Sequence, residues 1–126
     1  MTSKLNQPTL GGVISRFDRR WPNELTDDAK SKIIWRADRA FAIETGQPEP
    51  EKYSGRSLKG TRLLIPKECD DVYDFALLRE LTKMSEGAKE HYNERYQAAK
   101  KEAIATWRMI KKGESNGAKE PSLFGD

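Results

Sequence analysis

The stretch Ala88–Ile110, AKEHYNERYQAAKKEAIATWRMI, carries apolar residues at Ala88, Tyr92, Tyr96, Ala99, Ala103, Trp107 and Ile110. Steps of three and four keep these residues in one stripe along one face of an α-helix. The opposite side reads Lys89, Glu90, Asn93, Glu94, Gln97, Lys100 and Lys101, which suits water. Glu86 and Glu90 lead, while Arg108, Lys111 and Lys112 trail, the order a helix dipole favours. Gly113 is expected to end the helix. Ring-sized side chains flank the small Ala99 and Ala103, so a partner helix can come close at the middle. A helix this long, apolar on one face only, needs cover from the rest of the chain or from a second copy.

Upstream, Val72, Phe75, Leu78, Leu81 and Met84 recur at i+3 steps, widened by Cys69, Tyr73, Ala76 and Leu77. This predicts a helix entered near Lys67 or Glu68. Its Val72–Leu78 segment is almost wholly apolar and is expected to be the most buried. The short link Ser85-Glu86-Gly87 makes it an antiparallel neighbour of the long helix. Earlier still, Thr26 caps a helix with Asp27 and Asp28 in its first turn and Ala29, Ile33, Ile34, Ala37, Ala40 and Phe41 on its apolar face; Gly46 closes it. Trp35 lies to one side of that face, readable as core or as a contact for a partner. Thr9 caps a first helix with Leu10, Val13, Ile14, Phe17 and Trp21 as its apolar face. Gly11 and Gly12 weaken its first turn, and Pro22 ends it.

Between the second and third helices, Gln47-Pro48-Glu49-Pro50-Glu51 cannot continue a helix. Tyr53–Gly60 reads as a loop, and Thr61–Ile65 as a short β-prone run, the second arm of a hairpin turning near Lys59-Gly60. Beyond Gly113 the chain is polar and aperiodic, with Leu123 and Phe124 as apolar exceptions: a frayed end, or an arm that inserts both into a partner's groove. The expected fold is therefore mostly α: a small four-helix bundle with a β-hairpin or extended loop between helices two and three and a flexible C-terminal tail. Its parts are a flexible N-terminus (1–8), a helical domain (9–113) and a C-terminal arm (114–126).

A chain of 126 residues, 34% charged and 36% hydrophobic, fits one domain with a modest core. No apolar run approaches the roughly 20 residues needed to cross a bilayer, and Met1–Pro8 has no apolar secretory segment. Cys69 is the sole cysteine and fits a reducing compartment. The net charge of +3 is unevenly spread. Bases cluster at Arg16, Arg19 and Arg20, at Arg56, Lys59, Arg62 and Lys67, and at Lys100, Lys101, Arg108, Lys111 and Lys112; acids collect between them. Such alternation suits a surface that meets other charged surfaces, and is weaker than the bias of a dedicated nucleic-acid binder.

Catalytic signals are thin. His91 is the only histidine, with no cysteine or carboxylate at ligand spacing. A Cys69/His91 nucleophile pair would be the only one of its kind available. Asp70, Asp71 and Asp74 read as a helix first turn, where each acid is stabilising by about 0.3–1 kcal/mol, rather than as a cation site. Gly11-Gly12 lacks the lysine and hydroxyl of a phosphate loop. No enzyme, cofactor or metal is expected. The loop bases Arg56, Lys59 and Arg62 are readable as a solvated loop, as a contact for an acidic protein, or as a contact for nucleic-acid backbone with Tyr53 stacking on a base.

One ordered set of motifs remains: Asp27-Asp28 leading to Ile33-Ile34-Trp35-Arg36-Ala37-Asp38-Arg39-Ala40-Phe41, then Leu64-Ile65-Pro66-Lys67-Glu68-Cys69-Asp70-Asp71-Val72-Tyr73, then His91-Tyr92-Asn93-Glu94-Arg95-Tyr96-Gln97-Ala98-Ala99. In this order, over residues 9–112, the chain resembles the small head–tail connector (adaptor) proteins of tailed bacteriophages. The resemblance implies a helical bundle that assembles in the host cytoplasm into a homo-oligomeric, dodecameric ring in the virion. Such a ring sits below the portal protein, extends the DNA channel and docks tail or stopper proteins, without gripping DNA and without a membrane. It implies contact with the portal through Arg108, Lys111, Lys112, Leu123 and Phe124. A ring needs two complementary faces on one subunit, which alternating charge can supply. The alternative is a small phage- or plasmid-encoded protein that inhibits a host nucleic-acid machine or binds nucleic acid through its basic loop.

Overall fold

The computed structural model describes residues 6–81 and 85–119. They form four α-helices: α1 (Leu10–Arg20), α2 (Asp27–Thr45), α3 (Asp71–Leu78) and α4 (Glu86–Lys119). Local chemistry sets the ends. The Gly12 N–H donates to the Thr9 hydroxyl at 3.1 Å and the Ala29 N–H to that of Thr26 at 3.1 Å. The Ala88 N–H donates to Ser85 Oγ at 3.2 Å, which starts α4. Gly46 closes α2 at φ 72°, a left-handed conformation that glycine adopts without steric cost.

The shortest helix is the hub. Six of the eight residues of α3 are buried, and it packs against α1, α2 and α4 at once. Around it Leu10, Val13, Ile14 and Phe17 of α1, Ile34, Ala37 and Phe41 of α2, and Tyr96, Ala99, Ala103 and Ile104 of α4 close one continuous core. The stripe read along α4 is the face that packs: Tyr96, Ala99, Ala103 and Ile110 are buried, and Ala88, Tyr92 and Trp107 are half-buried. Trp107 meets Phe41 edge-on at 6.3 Å between ring centroids.

Four expectations change. First, the hairpin is not formed: among the described residues there is no strand, only an isolated antiparallel bridge between Thr9 and Arg62. The stretch ahead of the expected turn at Lys59-Gly60 does not extend: Gly55–Ser57 winds into a 3-10 turn, and Thr61 N–H closes onto Ser57 O at 3.1 Å. The extended run lies instead along the N-terminal segment, with Leu63 N–H donating to Pro8 O (2.9 Å) and Lys67 N–H to Asn6 O (2.7 Å). Pro8 returns no donor, and the N–H groups of Leu64 and Ile65 are taken by side chains, so no ladder propagates. Residues 6–8 thus belong to the packed body. Second, α3 begins at Asp71 after a 3-10 turn at Lys67–Cys69 and ends at Leu78; Met84 lies outside the described residues. Third, α4 runs through Gly113 to Lys119, because Gly113 does not take the left-handed φ that ends α2 at Gly46. Fourth, Trp35 belongs to neither the core nor a free surface: its Nε1–H donates to Pro50 O at 2.9 Å, and Arg39 and Lys52 lie over its ring, pinning the proline-rich segment to α2.

Candidate interaction surfaces

The long connection between α2 and α3 positions the loop bases, and a buried carboxylate holds that connection. Asp38 sits on the apolar face of α2, one turn after Ile34 and just before Phe41, with none of its surface exposed. The Tyr53 hydroxyl donates to its Oδ2 at 2.6 Å, the Leu64 N–H to the same atom at 3.1 Å, and the Tyr73 hydroxyl to Oδ1. Ile65 N–H in turn donates to the Tyr73 oxygen at 3.0 Å. One carboxylate therefore joins α2, both ends of the connection and α3. Burial pushes the Asp38 carboxyl up to about 6, against the opposing pull of these donors. Burial, together with the facing carboxylate, raises both tyrosine hydroxyls well above their ordinary range.

The rest of the connection wraps the start of α1. Leu10 N–H donates to Thr61 O at 2.9 Å and Gly11 N–H to Leu58 O at 3.0 Å, satisfying donors that a helix N-terminus leaves open. A Cβ on Gly11 would stand 3.0 Å from Leu58 O, so the glycine that weakens the helix also admits the loop. On the other side, Gly55 N–H donates to Asp28 Oδ1 at 2.6 Å. Arg56, Lys59 and Arg62 project from this short wrapped segment and are exposed. Among the described residues no carboxylate lies within 4 Å of their charged groups. Tyr53, by contrast, is half-buried with its hydroxyl committed to Asp38, so it anchors the loop and does not offer a ring for stacking.

The bases assigned to a portal contact separate. Arg108 is exposed and donates to Glu44 O at 3.3 Å, beside an open groove of about 330 Å³ lined by Glu44, Lys101, Ile104, Ala105 and Arg108. Lys111 pairs with Glu114 at 3.4 Å and lies over the Trp107 ring. Lys112 is exposed. Leu123 and Phe124 lie outside the described residues.

Other charged groups are structural. Arg16 of α1 clasps Asp70 Oδ2 at 2.7 Å and Asp74 Oδ2 at 2.9 Å, tying α1 to the entry of α3. Periodicity places these acids in a first turn; it gives no sign of their partner, which lies 54 and 58 residues away. Lys30 is buried and bonds Asp18 at 2.7 Å. Cys69 sits in a small cleft of about 230 Å³ with Glu68, Asp71, Glu102 and Thr106. Burial raises its thiol pKa, against a hydrogen bond with Thr106, and the three carboxylates raise it further, the reverse of what a nucleophilic thiol needs. His91 is exposed on α4. It lies at least eight residues, about 12 Å of helical rise, before the part of α4 that lines the cleft. The two are not brought together. No group of three or more His, Cys, Asp or Glu fit to hold a metal ion occurs among the described residues, and no helix there is long and apolar enough to cross a membrane.

Comparisons of the chain with protein-family models, with curated proteins and with solved structures give no match.

Proposed function

We propose that this chain is a structural assembly subunit, a head–tail connector that forms a homo-oligomeric ring below a phage portal and presents a docking face to tail or stopper proteins. One observation carries the reading. The helical body is pinned internally by Asp38 and by the Arg16 clasp, while two groups of cations, Arg56/Lys59/Arg62 and Arg108/Lys112, stand exposed without carboxylate partners of their own among the described residues. Charge held outward on a rigid body suits a subunit that meets different neighbours on different faces. The ordered motifs of the three core helices add the resemblance to connectors.

The test is direct imaging. The purified chain, mixed with purified phage portal rings, should add a layer of density on one end of the portal. The paired change Arg108→Glu with Lys112→Glu should remove the layer without altering the helical spectrum. Bare portals at every mixing ratio would overturn the proposal.

A second reading, contact with nucleic-acid backbone, draws on the exposed Arg56, Lys59 and Arg62. With Tyr53 committed to Asp38 it would be a phosphate contact only. Neutralising about three phosphates gives a shallow salt dependence, roughly −0.9 per charge on duplex DNA.

A further inference from the structure

The face of α4 turned away from the core has a charge order that its own helix does not use. Glu90 and Glu94 stand one turn apart, and so do Arg108 and Lys112. Like charges at this spacing repel along a helix, whereas a helix optimised alone would alternate them. The helix dipole does not account for it: the effect fades within the first and last turns, and these residues lie deeper in a helix that runs from Glu86 to Lys119. The two pairs cannot neutralise each other either. Glu94 and Arg108 are fourteen residues apart, about 21 Å of helix, beyond a Debye length of about 8 Å at physiological salt. All four residues are exposed, and among the described residues none has an ion pair within the chain.

Between the two pairs the same face narrows. Ala98 and Ala105 are both exposed, with Lys101 and Glu102 between them. Turned end for end, this pattern matches itself. An antiparallel copy sets Glu90 against Lys112, Glu94 against Arg108, Ala98 against Ala105, and Lys101 against Glu102. The small residues then lie at the centre, where two helix axes come within about 8–10 Å. Met109, 74% exposed, adds apolar surface at the edge. Each contact occurs twice, as a two-fold axis requires.

We propose that the outer face of α4 is a self-recognition surface, on which a second copy of this chain docks antiparallel to form an isologous dimer. Such pairing needs only this chain. Because it uses Arg108 and Lys112, the cations proposed to meet the portal, the dimer is the state of the chain away from the portal, and the mass measurement on the chain alone tests it without the connector reading.

Sedimentation equilibrium of the full chain tests it. At low salt the average mass should rise toward twice the monomer with concentration, and high salt should shift it back. Glu94→Arg alone, or Arg108→Glu alone, should weaken association by about tenfold or more, and both changes in one chain should restore it. Circular dichroism confirms that these surface variants stay folded. A second measurement fixes the direction: in a Cys69→Ser background, chains with Ala98→Cys mixed with chains with Ala105→Cys should form the mixed disulfide faster than either forms its own. A chain that stays monomeric, a dimer indifferent to the charge swaps, or preferential Ala98→Cys self-linkage would each overturn the proposal.

Discussion

Asp38 is a charged residue where the helix pattern calls for an apolar one, and it is the residue on which the connection between α2 and α3 depends. Its pKa is raised in the folded protein to about 6, from an ordinary value of 3.8. The folded state therefore binds a proton more readily than the unfolded chain. That contribution to stability is complete below about pH 4 and is lost as pH rises through about 6. A displacement of this size is worth about 3 kcal/mol. Stability of the native protein, followed by urea unfolding, should rise from pH 7 to pH 5. Asp38→Asn should flatten that rise; Asp74, also raised by its burial, leaves a smaller slope of the same sign. An identical slope in Asp38→Asn would place the titration elsewhere. Tyr73→Phe should cost about 1–3 kcal/mol, because it removes a donor from Asp38 and leaves the Ile65 N–H without its acceptor. None of this is legible from composition or periodicity. The one available signal is local: Asp38 falls at i+4 from Ile34 and i−3 from Phe41, on the buried stripe, where a carboxylate needs donors. Which donors, no sequence rule supplies, since Tyr53 and Tyr73 come from other parts of the chain.

At the scale of elements, the helices are readable and the connection is not. Caps at Thr9, Thr26 and Gly46 and the stripe of α4 follow from local chemistry that does not depend on the rest of the fold. The hairpin fails because β-propensity in Leu63–Ile65 is outweighed by tertiary partners, Asp38 and Tyr73, that claim two of its N–H groups. The stop at Gly113 fails because glycine ends a helix only where the backbone turns left-handed, as at Gly46. The two glycines should therefore respond oppositely to alanine. Gly46→Ala should destabilise by about 1 kcal/mol or more, because its φ is positive. Gly113→Ala, in open space on a continuing helix, should stabilise by up to about 1 kcal/mol; thermal melts of both variants check this, and a loss at Gly113 would mean that the helix ends there. Trp107 is half-buried, so Trp107→Ala should cost less than the roughly 3–5 kcal/mol of a fully buried tryptophan, with about 0.5–1.5 kcal/mol of the loss coming from the edge-on contact with Phe41. An unchanged melting temperature would mean that the ring does not pack. Truncation after Gly113 should leave the melting temperature close to that of the full chain, since Ile110 is the last buried residue among those whose burial is described.

For the whole molecule, the distribution of charge governs what it meets. Acids and bases that look alike in sequence divide into two sets. Arg16, Lys30, Asp70 and Asp74 are consumed inside the fold, while Arg56, Lys59, Arg62, Arg108 and Lys112 are left outward. Proximity along the chain groups Arg16 with Arg19 and Arg20 as one basic cluster; the fold splits it, pairing Arg16 with two carboxylates and leaving Arg19 and Arg20 exposed. What remains outside includes two groups of cations, one at the loop around α1 and one at the distal part of α4, on separate stretches of a body tied together by Asp38 and Arg16. The proposed role follows from that remainder, and one titration tests it most directly: the labelled chain against portal particles and against duplex DNA, each at low and high salt. Saturable binding to the portal, weakened by Arg108→Glu with Lys112→Glu, is expected, with no saturable binding to DNA at either salt. Tight, salt-sensitive binding to DNA that is lost on changing Arg56, Lys59 and Arg62 to alanine, with none to the portal, would contradict it.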